Sequence, residues 1–151
     1  MSVYRIRSAP RHYQVLHSFG GPHDGKFPEA SLLDVNGTLY GTTSRGGKPQ
    51  GGTVFSISTS GAEHVLYSFS QIHHGKQPDA GLIEVNGTFY GTTANGGAHN
   101  GGTVFSVSRA GRQRVLYSFN DNGGSNADGN DPQASLIDVN GRLYGTTAGG
   151  V

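Results

Sequence analysis

Apolar and polar positions alternate along this chain in short runs, separated by Gly, Asn and Ser, and the runs come in sets of four. In the first set they cover 30–35, 38–43, 53–58 and 64–69, all rich in Val, Leu, Ile, Thr, Tyr and Phe. Residues of that kind suit a pleated, half-buried strand. Between the first two runs stands Asn36-Gly37, repeated as Asn86-Gly87 and Asn140-Gly141. That pair predicts a two-residue type I′ hairpin, whose central positions both require positive φ. Between the third and fourth runs, 58–62 and 108–112 read as a second kind of tight turn. No segment carries a convincing 3.6-residue period, so the chain is expected to be all-β with essentially no helix.

The sets of four are copies of one another. Val15-Leu16-His17-Ser18-Phe19 returns as Val65-Leu66-Tyr67-Ser68-Phe69 and as Val115-Leu116-Tyr117-Ser118-Phe119, 50 residues apart each time. The third copy resumes at Pro132, matching Pro28 and Pro78 once four extra residues are allowed after Phe119. Four strands per such repeat suit a β-propeller blade, and three repeats in a chain of this length also suit a β-trefoil monomer. Three elements recur: Asp24-Gly25-Lys26-Phe27-Pro28, then Leu39-Tyr40-Gly41-Thr42-Thr43, then Gly51-Gly52-Thr53-Val54-Phe55. The first three strands resemble those of a kelch blade. Over nearly the whole chain, the pattern more closely resembles the choice-of-anchor tandem repeat known as GloVer. The resemblance implies a kelch-like propeller and a cell-surface or secreted setting, and it brings no assigned catalytic residue. It favours the propeller over the trefoil.

The expected organisation is a single repeat domain over 1–151. Complete blades run over 30–69 and 80–119, the first two strands of a last blade over 134–147, and its remaining two over 1–19. Three blades are too few for a ring, which needs roughly four to eight. A half-blade would also leave a row of unpaired backbone groups. The sequence therefore predicts a strand-exchanged homodimer with six blades, closed by two-fold symmetry.

Composition narrows the function classes. With 26 Gly, 6 Pro and 14% charged residues, solubility rests on Ser, Thr, Asn and Gly. A formal net charge of +1 gives no reason to expect nucleic acid as a partner. No apolar run approaches the length that would span a bilayer. There is no Cys, hence no disulfide framework and no thiolate chemistry. No signal peptide is visible behind the basic start, so the compartment stays open.

In a four-stranded meander the tight turns share one face, and the long connections (20–29, 44–52, 70–79, 94–102 and 120–133) share the other. Binding residues concentrate on such loops. The candidates there are His23, Asp24, Lys26, Arg45 and Lys48 in one repeat, and His73, His74, Lys76, Asn95 and His99 in the next. A catalytic site usually needs different groups as acid, base and stabiliser, whereas repeated loops favour multivalent binding. Asp34, Glu84 and Asp138 precede the Asn-Gly turns, and they would ring a channel mouth or serve their own hairpins. In the third long loop Asp121, Asp128 and Asp131 offer hard oxygen ligands of the kind Ca²⁺ takes, without the spacing of an EF-hand. No other cofactor is expected. The expected function is a non-catalytic binding module for a glycan or another small polar ligand. A lectin is disfavoured because the chain has no Trp and Phe27 is the only aromatic in the long loops. The alternatives are a lyase or hydrolase at the channel mouth and a protein-interaction scaffold.

Overall fold

The computed structural model describes residues 1–70, 73–120 and 128–150. Every regular element in them is a strand. In chain order these are β1 (Ser2–Ser8), β2 (Arg11–Ser18), β3 (Gly25–Lys26), β4 (Leu33–Val35), β5 (Thr38–Thr43), β6 (Arg45–Gly46) and β7 (Thr53–Ser58). There follow β8 (Glu63–Ser68), β9 (Ile83–Val85), β10 (Thr88–Thr93), β11 (Asn100–Ser108), β12 (Gln113–Asn120), β13 (Ile137–Val139) and β14 (Arg142–Tyr144). Two four-stranded antiparallel meanders, β4-β5-β7-β8 and β9-β10-β11-β12, form the body. Two-stranded hairpins flank them, β1-β2 on one side and β13-β14 on the other.

Local chemistry explains the hairpins. Asn36, Asn86 and Asn140 have φ of 53°, 52° and 53°, and the glycines after them 81°, 82° and 79°. Both central residues of each turn are therefore left-handed, as a type I′ turn requires. Strand limits differ from expectation in two places. The first strand of each repeat is shorter than the sequence suggests, because the segment before it serves a neighbour: Thr42 Oγ1 donates to the Ala80 carbonyl at 2.8 Å. The strand expected over 142–147 ends at Tyr144. Its counterpart β10 runs on to Thr93 because β11 pairs with it as far as Thr103, and β14 has no such neighbour among the described residues.

The sheets stack in chain order through the aromatic positions. Phe19 meets Phe55 edge-on at 5.0 Å, and Phe69 meets Phe105 in the same way at 4.9 Å. Val3, Phe55 and Ile57 form one buried cluster with Leu16 and Phe19 packed against it. Tyr40, Val54, Phe69, Leu82, Phe89, Phe105 and Val107 form the other, which joins the two large sheets. Close approach to the rings requires glycine in the recurring Tyr-Gly-Thr-Thr: a Cβ on Gly41 would lie 2.6 Å from Phe55 Cζ, and on Gly91 2.8 Å from Phe105 Cζ. A backbone irregularity falls at the same place in three strands, between Val3 and Tyr4, Val54 and Phe55, and Val104 and Phe105. Buried hydroxyls are paired rather than orphaned, Thr43 with Thr53 at 2.7 Å and Thr93 with Thr103 at 2.8 Å. The tyrosines of the recurring Tyr-Gly-Thr-Thr divide. Tyr40 is 7% exposed, its ring 4.2 Å from Phe89 of the next sheet, but Tyr144 is 50% exposed, with no further sheet packed on it among the described residues.

Candidate functional site

Each loop that leads into a sheet is clasped to the loop inside that sheet. β3 pairs with β6, Gly25 opposite Gly46 and Lys26 opposite Arg45. In the second repeat Lys76 and Asn95 exchange backbone hydrogen bonds of 2.8 and 3.2 Å, and in the third Asn130 and Gly149 exchange two of 3.1 Å. A second set of bonds ties the second and third clasps to the preceding sheet: Gln77 N–H donates to the Gly51 carbonyl at 2.8 Å, and Asp131 N–H to that of Gly101 at 2.9 Å. The Gly-Gly pairs make room for the proline that follows. A Cβ on Gly52 would stand 2.6 Å from Pro78 Cδ, and one on Gly102 2.7 Å from Pro132 Cδ.

This lacing brings together residues far apart in the chain. Arg45, Gln50, Gly51, Lys76 and Gln77 line a polar cleft of about 320 Å³ between the two large sheets. Gln50 and Gln77 hold φ of 78° and 58°, a region L-residues enter at a cost of roughly 1–2 kcal/mol. The equivalent Asn100 and Asp131 hold φ of 63° and 55°, so this backbone belongs to the repeat as a whole. Gln77 Oε1 accepts from Asn95 Nδ2 at 2.8 Å, and Gln50 Nε2 donates to the Gly47 carbonyl at 3.1 Å. The Arg45 guanidinium stands 5.9 Å over the Phe27 ring. Asp79 is nearby in the electrostatic sense. Burial, then Glu29 and Asp131, push its carboxyl above the usual range, and Arg45 opposes them.

The equivalent positions at the next junction are Asn95, Asn100, Gly101, Asn130 and Asp131, which carry no cation. The expectation of equivalent repeated sites therefore meets an asymmetric structure. Of the loop candidates, Arg45 and Lys76 share the cleft and Asn95 supports it. Lys26 is exposed beside Arg45, and His23, His73 and His99 are exposed elsewhere on the loops.

Asp24 and His74 have structural work. Asp24 Oδ1 accepts from Gly25 N–H at 2.6 Å, and its Oδ2 from Gly20 N–H and His17 Nε2, both at 3.1 Å. His74 Nδ1 meets the Tyr67 hydroxyl at 2.9 Å, and the Tyr117 hydroxyl donates to Asp128. One staple thus joins the last strand of a repeat to the next loop at positions 17/24, 67/74 and 117/128. The only sequence signal for it is that position 17 and its copies always carry His or Tyr. In the first repeat Glu63 joins the pair, its ligand atom within 4.8 Å of those of His17 and Asp24. Burial first, and Asp24 second, raise its pKa. With both Asp24 oxygens already bonded, the cluster acts as a loop anchor.

The carboxylates considered for cations are similarly engaged. Asp34 Oδ1 accepts from Gly37 N–H at 2.9 Å, and Glu84 accepts from Gly87 N–H, so these two fasten their own turns. Asp138 is exposed on β13. Asp128 also accepts from Asn120 N–H at 2.8 Å; that bond and the Tyr117 hydroxyl, the larger cause, hold its pKa low. Asp131 Oδ2 accepts from Gln133 Nε2 at 2.8 Å. Asp121 lies outside the described residues.

The architecture and the laced loops define an all-β tandem-repeat protein, with successive antiparallel sheets carrying polar loops along one edge. The chain belongs to the Gloeobacter/Verrucomicrobia repeat family, whose model matches residues 2–151. No curated protein and no solved structure matches it.

Proposed function

We propose that this protein is a non-catalytic binding module of propeller-like, kelch-type blades, with partial blades completed by a second copy, that holds a small polar ligand bearing an anionic group. An acidic saccharide is the ligand class we favour. The observation that carries this reading is the meeting of Arg45 and Lys76, from different repeats, with two amide side chains in one polar cleft. Arg provides a planar fork for a carboxylate or sulfate, and Lys a mobile point charge. The amides of Gln50 and Gln77 supply donors and acceptors for hydroxyls. Phe27 beneath Arg45 offers a small apolar surface, and Asp79 limits the net positive charge. The lack of cations at the next junction favours one ligand per cleft over a string of equal sites.

Calorimetry with uronic-acid oligosaccharides, and with their neutral counterparts, tests the reading. Arg45→Ala and Lys76→Ala should each weaken binding by about 10- to 100-fold, the worth of a charge-assisted hydrogen bond. Asp79→Asn should tighten it by removing a competing carboxylate. Equal binding of neutral and acidic sugars, or indifference to both cation deletions, would defeat it.

A further inference from the structure

The second large sheet ends in a groove that has a filled counterpart inside the same molecule. At the junction of the two large sheets, Phe105 of β11 packs on Phe69 at 4.9 Å and lies over Gly91. Leu66 and Tyr67 of β8 pack against the same cluster. One repeat further on, the matching positions are Phe119, Gly145, Leu116 and Tyr117. They line an open groove of about 480 Å³, together with Val104, Leu136 and Leu143. Leu116 and Tyr117 are each 48% exposed. Beside the groove, β14 pairs only with β13, so its other edge is unpaired among the described residues.

The molecule also carries the missing insert. β1 has its backbone irregularity between Val3 and Tyr4, where β11 has its own between Val104 and Phe105. Tyr4 therefore stands in the place of Phe105, and Ile6 in that of Val107. Both are displayed, at 56% and 64% exposure, whereas Val3 is buried. Among the described residues the edge of β1 away from β2 is unpaired as well. The hairpin β1-β2 covers the first large sheet, while the groove opens beyond the second, so the chain's own hairpin is at the wrong end of the stack to fill it.

We propose that the groove and the edge of β14 receive the β1-β2 hairpin of a second copy of this chain, and that the exchange is reciprocal. The proposal rests on the blade reading above and adds its register. Carried over from the β10–β11 ladder, Gly145 lies opposite the partner's Tyr4, Thr146 opposite the partner's Val3 and Leu143 opposite the partner's Ile6. The partner's Tyr4 ring fills the space over Gly145, against Phe119. Backbone pairing removes the exposed edges of β14 and β1, and burial of the apolar face drives the docking. The same register sets Arg142 opposite the partner's Arg7 at the solvent-facing end. Like charges there oppose docking weakly and are screened by salt.

Sedimentation of the full chain should give twice the 15.8 kDa chain mass. Tyr4→Lys with Ile6→Lys should return it to a single chain with unchanged circular dichroism, since both side chains are exposed within one copy. The protein has no Cys, so Arg5→Cys and Tyr144→Cys, made in separate preparations, each introduce one thiol. Mixed and oxidised, they should form a covalent pair that neither forms alone. A 15.8 kDa wild-type particle, an open ladder of larger oligomers, or failure of the mixed pair to cross-link would overturn the proposal. Slow amide exchange in β5, β7, β10 and β11 of a monomeric product would sink the docking, and with it completion by a second copy, and leave the four-stranded blades themselves standing. Fast exchange in those strands would sink the blade reading itself.

Discussion

Two junctions in this molecule use nearly the same residues and come to different ends. Between the large sheets, Leu66, Tyr67, Phe69 and Gly91 close over Phe105, which is fully buried. Between the second large sheet and β13-β14, Leu116, Tyr117, Phe119 and Gly145 hold the same places around a groove. Side-chain type therefore does not decide which positions are buried. What differs is whether the sheet on the far side has a third strand to present an aromatic ring.

The largest expected contrast separates the two junctions at their aromatic centres. Phe105→Ala should destabilise the fold by about 3–5 kcal/mol, as expected for an aromatic removed from a close-packed core. In the dissociated chain Tyr4→Ala, at the position matching Phe105, should cost roughly 0.5 kcal/mol or less, as at other exposed positions. Urea unfolding of both variants checks this, and equal losses would break the contrast. A smaller effect sharpens it. Leu66→Ala should cost about 2 kcal/mol or more, and Leu116→Ala clearly less, when measured on single chains. At concentrations where the groove is filled, the two costs should converge.

The smallest effect is electrostatic. Burial raises the Asp79 carboxyl above its ordinary range in the fold. The folded chain then holds that proton more tightly than the unfolded chain does, so stability falls as pH rises from the ordinary carboxylate range toward neutrality. Asp79→Asn should remove this slope and leave the protein more stable than wild type at neutral pH. Below the ordinary carboxylate range the two should match. Glu63→Gln should behave in the same sense, because burial and Asp24 raise Glu63 as well. Thermal melts across pH 3–8, read as differences between wild type and each variant, would show both effects, and differences opposite in sign would contradict them.

Much of the architecture was legible because its causes are local. Asn36-Gly37 and its copies announce positive φ at two adjacent residues, and the alternating runs on either side need no distant information. The candidate cleft was legible only in part. Arg45 and Lys76 could be placed on the same edge, but not together, since their meeting depends on the bond from Gln77 N–H to the Gly51 carbonyl. The left-handed backbone at Gln50 and Gln77 carries no residue signature at all. The staple of His17 with Asp24 was hidden because the paired chemistry changes from copy to copy while its geometry persists.

By itself, then, the sequence determined an all-β chain of repeated four-strand units with type I′ hairpins, since short-range backbone preference and side-chain alternation are enough for that. Tertiary structure alone decided which equivalent residues are buried and which stand open. It also decided which loop side chains face one another. Both outcomes depend on what the neighbouring sheet brings up to a given position, and no single repeat encodes its neighbour.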